Sequence, residues 1–111
     1  MGQRIMDIIL KSNDYWVKIV DFLQQNWALI EPKKDRMEVS VYFIGDTSGV
    51  FDIIDFSSRD IAENALIRNG FQKYLDPTEN FTEFLYPPQP PFKWRDHPNG
   101  KIYSSGRYWK D

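Results

Sequence analysis

Two periodicities alternate along the chain. Trp16, Ile19, Val20, Leu23 and Trp27 recur at steps of three and four, with Lys18, Asp21, Gln24 and Gln25 between them. Such a stripe describes one face of an amphipathic helix, and Ser12-Asn13-Asp14 ahead of it offers capping oxygens. The spacing predicts a helix over about 12–26, followed by a short apolar segment, 27–30, that reads as a strand before the turn at Pro32 and Lys33-Lys34-Asp35. The period then changes to two. Val39, Val41 and Phe43 alternate with Ser40, Tyr42 and Ile44, predicting a strand over 37–44. Gly45-Asp46-Thr47-Ser48-Gly49 supplies a tight connection, and 50–56 is rich in β-formers. Residues 37–56 therefore read as an antiparallel hairpin.

Ser57-Ser58 caps a second helix, with Ile61, Ala62, Ala65 and Leu66 on its buried side, and Asn69-Gly70 stops it. Beyond Gly70 the pattern weakens. Residues 71–75 read as a short strand and 81–86 as another element. Pro87-Pro88-Gln89-Pro90-Pro91 excludes helix and central strand and reads as an extended crossing. Pro98-Asn99-Gly100 is a turn, and 101–109 alternates rings in the manner of a final strand or hairpin. The expected fold is α+β: a small antiparallel sheet with two helices packed on one face and an irregular, Pro- and aromatic-rich C-terminal segment.

At 111 residues the chain reads as a single globular domain, long enough to bury one core without cross-links. It has no cysteine, which removes disulfides, thiolate metal sites and cysteine nucleophiles. No apolar run approaches the ~20 residues that span a bilayer, and no secretory signal is evident. The expectation is a soluble cytoplasmic protein with no membrane association.

Charge adds asymmetry. The net value is −2, which argues against a general polyanion binder. Between Glu38 and Glu63, Arg59 is the single base against six carboxylates, whereas five bases face only Asp96 between Lys93 and Lys110. The middle is acidic and the tail basic.

Three constellations offer chemistry. His97 is the only histidine and lies beside Asp96, but Asp96-His97-Pro98-Asn99-Gly100 reads as a polar turn in which neighbours diverge; a small enzyme using His97 would need a carboxylate brought in by folding. Asp46, Asp52 and Asp55 lie in or beside the hairpin. Strand alternation places Asp52 with Val50 and Ile54, and Asp55 with Phe51 and Ile53, so the two acids point to opposite faces, which spoils a paired-acid site. As a binding feature, Asp46, Asp52 and Asp55 with the ring of Tyr42 would attract a basic partner. The tail interleaves Lys93, Trp94, Arg95, Arg107 and Trp109, ingredients of a stacking platform for single-stranded nucleic acid, although the overall acidity favours core rings or a tail lying on the acidic middle. No dinucleotide, phosphate-loop or metal-ligand spacing occurs, so no cofactor and no metal are expected.

In small size and acidity, and in segments such as Asp46-Thr47-Ser48-Gly49-Val50-Phe51-Asp52, Arg68-Asn69-Gly70-Phe71 and Asn99-Gly100-Lys101-Ile102-Tyr103-Ser104-Ser105-Gly106-Arg107-Tyr108-Trp109, the chain resembles the small cytoplasmic immunity proteins of bacterial contact-dependent and other polymorphic toxin systems. The resemblance is one of overall character and transfers no functional residue. It implies a protein that binds a basic toxin domain, often a nuclease, and occludes its active site.

Overall fold

The described residues of the stretch 12–26 form no helix. In the computed structural model, which describes residues 8–21, 24–34, 36–45, 48–78 and 81–94, this stretch contributes strand β1 (Tyr15–Asp21) and the start of strand β2 (Gln24–Pro32), paired antiparallel. The reason is composition. Tyr15, Trp16, Val17, Ile19 and Val20 are aromatic or β-branched, types that favour a pleated surface. Apolar residues occupy both parities because both faces of the sheet are covered, and that doubling produced spacings of three and four. Trp16 and Val17, adjacent in sequence, are both buried in separate clusters, whereas Ile19 of the supposed stripe is exposed.

The predicted hairpin is present as β3 (Val39–Ile44) and β4 (Gly49–Phe56). Ser57-Ser58 leads into helix α1 (Arg59–Arg68), where the Ser58 hydroxyl accepts a bond from the Ile61 amide at 3.3 Å. At the far end Gly70 takes φ +92°, the left-handed conformation that favours glycine. The remainder of the described chain supplies β5 (Gln72–Lys73), the short helix α2 (Phe81–Phe84) and β6 (Lys93–Trp94).

Among the described residues six strands form one sheet in the order β5-β1-β2-β3-β4-β6. All pairings are antiparallel except β4 with β6. The sheet is mixed, not purely antiparallel, because the chain returns along the second face and reaches β4 running in the same direction.

Cross-strand register sorts the core into two layers. Trp16, Ala28, Ile30, Val39, Val41, Phe43 and Phe51 lie in the layer that receives Ala62 and Leu66 of α1 and Phe71. Val17, Trp27, Leu29, Ile44 and Val50 lie in the layer that receives Phe92, with Ile8, Leu10, Tyr74, Phe81 and Leu85 packed against it. Since Phe81 belongs to α2, the two helices sit on opposite faces of the sheet, not together on one. The proline-rich stretch does cross: Tyr15 Oη donates to the Pro88 carbonyl at 2.9 Å and Ser48 Oγ to the Gln89 carbonyl at 2.7 Å, tying it to the start of β1 and to the β3–β4 turn. Its Pro90–Pro91 bond is cis. No helix among the described residues is long and apolar enough to cross a membrane.

Candidate functional site

The hairpin distributes its predicted site residues between two surfaces. Antiparallel partners share a face, so the pair Phe43↔Asp52 places Asp52 with the α1-covered layer and Ser40↔Asp55 places Asp55 on the opposite side. The separation expected from alternation holds. The grouping around it does not: a register shift between Phe43 and Ile44 moves Val50 to the layer of Ile44 and Phe51 to that of Phe43. Such a bulge inserts one extra residue and reverses the parity beyond it.

Asp52 is fully buried, with Oδ1 accepting from the Ile53 amide at 2.9 Å. It therefore presents no carboxylate to an incoming partner. Asp55 is exposed, but its carboxylate accepts from Ser40 Oγ at 2.7 Å and from Lys33 Nζ at 3.0 Å. These bonds, the hydroxyl's foremost, hold the Asp55 carboxyl below the usual aspartate value. Tyr42 is half-buried on the same face, and burial, followed by the charges of Glu31 and Asp55, raises its phenol above the usual tyrosine value. Tyr42 and Asp55 are thus brought together, with Glu31, Ser40 and Lys33, into a patch where Lys33 pairs with Asp55 and Glu31 accepts from the Lys11 and Ser12 amides. Asp46 lies outside the described residues, as do His97, Arg95, Arg107 and Trp109. Lys93 and Trp94 form β6 beside Gly49 and Val50, both with exposed side chains.

A second surface, without any sequence motif, is assembled from three separate segments. Residues 13–15 ahead of and at the start of β1, Arg59 at the first position of α1, Lys73 at the end of β5 and residues 75–77 after it line a cleft of about 590 Å³. Arg59 Nη1 donates to Asp14 Oδ2, with Glu63 Oε2 3.9 Å away. Lys73 Nζ stands 5.9 Å from the centre of the Trp16 ring. Asp76 Oδ1 accepts from the Thr78 amide and hydroxyl at 2.8 and 2.7 Å, which lowers its carboxyl below the usual value.

Residues 74–78 and 81–86, which follow β5, add a set of aromatic and apolar side chains. Tyr74 points inward, edge-on to Trp27 at 5.5 Å between centroids, and its hydroxyl donates to the Leu85 carbonyl at 2.6 Å. Its sequence neighbour Leu75 and the two neighbours of Leu85 turn outward: Leu75, Phe84 and Tyr86 are 70%, 71% and 83% exposed. One inward ring therefore anchors three outward apolar side chains. Alternation around Tyr74 and Leu85 was the available signal, but two-residue strands and a single helical turn are too short to show a period.

Comparison with known protein families, curated proteins and solved structures finds no match.

Proposed function

We propose that this chain is a protein-binding module of immunity or inhibitor type, and that its docking surface is carried by residues 73–78 and 81–86 rather than by the acidic hairpin. The observation that supports this reading is the outward set Leu75, Phe84 and Tyr86. Both faces of the sheet already have their own covering layers, so these side chains are surplus to the core. Aromatic and large apolar groups anchor interfaces because they bury much area at small entropic cost, and exposed clusters of them mark docking sites. The finer reading, a basic toxin domain whose active site is covered, draws support from the net charge of −2 and from exposed Asp60 and Glu83 on the two helices, which would speed encounter with a cationic surface.

The experiment is reconstitution. A partner captured by the tagged chain is purified and its affinity measured against wild type and against a Phe84→Ser/Tyr86→Ser double variant. The expected result is a loss of roughly 100-fold or more, with association slowing as salt rises. Equal affinity for wild type and the double variant, with the variant folded by circular dichroism, overturns this surface.

A further inference from the structure

We propose that the cleft at the start of α1 binds a carboxylate carried on an apolar body. That the proposed partner supplies this carboxylate, from a side chain or a chain terminus, rests on the binding-module reading above. At about 590 Å³ the cleft has the size of ordinary small-ligand sites, and its donors are unevenly used. Arg59 commits Nη1 to Asp14, with Glu63 Oε2 3.9 Å from the same nitrogen, and among the described residues its other N–H groups have no hydrogen-bond acceptor. A guanidinium carries five N–H donors in a planar fork matched to carboxylates, and a first partner that fixes the plane leaves the other edge preorganised. Lys73, an exposed residue of the same lining, has no carboxylate at ion-pair distance among the described residues; its contact is with the Trp16 ring. The Asn13 side-chain amide, also in the lining, is unbonded among the described residues.

Two carboxylates line the same cleft, and both are committed. Asp14 is held by Arg59, and Asp76 turns Oδ1 into its own turn with Thr78. A ligand carboxylate in this cleft would therefore draw on donors from two cationic side chains, Arg59 and Lys73. The positive end of the α1 dipole adds to this preference for an anion. Of the remaining lining residues, Leu75 and Pro77 are apolar. This wall excludes a bare inorganic anion as the best-fitting occupant and selects a hydrocarbon body beside the charge.

N-Acetyl-leucine, a carboxylate on a branched apolar body, is the probe, titrated into the labelled full chain and followed by amide NMR shifts. Saturable shifts centred on Asn13, Lys73 and Leu75 are expected at roughly millimolar concentration. The uncharged N-acetyl-leucinamide should produce none, and inorganic phosphate should bind more weakly than the acid. Lys73→Gln, on an exposed side chain outside the Arg59–Asp14 pair, should weaken N-acetyl-leucine at least about fivefold. No saturation by the acid, equal binding of acid and amide, tighter binding of phosphate, or an unchanged affinity in Lys73→Gln would each overturn the proposal. Lys73→Gln leaves Phe84 and Tyr86 in place. If it loses N-acetyl-leucine but keeps full affinity for the reconstituted partner, the partner as source is overturned independently of the docking surface.

Discussion

Arg59, the first residue of α1, reaches back to the carboxylate of Asp14 just ahead of β1. The two stand 45 positions apart, yet this pair joins the helix to the first strand of the sheet. Asp14 also lends its carbonyl to the Ile30 amide at 3.3 Å, so one residue meets both the helix and β2.

Breaking that pair should cost little but measurably. Both side chains are partly buried, Asp14 more so than Arg59, and ion pairs of this kind contribute about 0.5–1 kcal/mol. Asp14→Asn and Arg59→Gln should each lower the urea midpoint, and a double-mutant cycle should return a coupling of that size. Strict additivity of the two changes would show the pair to be energetically idle.

Trp27 should be among the least replaceable side chains. It is about 1% exposed and lies between the Tyr15 and Tyr74 rings at 6.1 and 5.5 Å. Trp27→Ala should cost roughly 3–5 kcal/mol, a large share of a total that is typically about 5–15 kcal/mol. Trp27→Phe should cost much less. Equal losses for the two variants would contradict the packing described.

Gly70 should resist alanine. Its φ of +92° is costly for any side chain, and an added Cβ would stand 3.3 Å from Lys18 Cε, which itself rests against the Phe71 ring. Gly70→Ala should destabilise by roughly 1 kcal/mol or more, read as a lower thermal midpoint. A stabilised variant would show that the helix end is not held in this conformation.

Tyr42 and Asp55 should give stability opposite pH dependences. Bonds from Ser40 and Lys33 lower the folded-state value of Asp55, so its contribution is present above the ordinary aspartate value and is lost as pH falls through the lowered one. Burial raises Tyr42, so its contribution is present below the ordinary tyrosine value and is lost as pH rises through the raised one. Against wild type, Asp55→Asn should be less stable near neutrality and converge in acid, while Tyr42→Phe should flatten the alkaline decline. Thermal melts across pH check both; parallel curves for wild type and either variant would refute the corresponding assignment.

The hairpin, the Ser58 cap and the Gly70 stop were legible because each depends on neighbours in sequence. A strand alternating at 39–44 declares its faces, and a serine before a helix declares its first turn. The first hairpin was illegible because burial on both faces erased the period that distinguishes strand from helix. Ile61 was misassigned for a related reason: Ala62, Ala65 and Leu66 set the buried side of α1, and Ile61, 49% exposed, falls off its edge. Of the site residues, the opposite orientation of Asp52 and Asp55 was readable from parity. The bulge that exchanges Val50 and Phe51, the salt bridge from Lys33 and the cleft joining positions 13–15, 59 and 73–77 all require tertiary contacts that no local pattern encodes.

The order β5-β1-β2-β3-β4-β6 has a consequence for synthesis on the ribosome. The four central strands are sequence neighbours and can zip up as the chain emerges, by contacts of short separation. Among the described residues their two borders are covered by residues 72–73 and 93–94, which are translated later. Until then the nascent meander carries unsealed borders able to recruit another copy. The late segment is thus the built-in selvedge of the sheet, and the same stretch between its two short strands carries Leu75, Phe84 and Tyr86 outward.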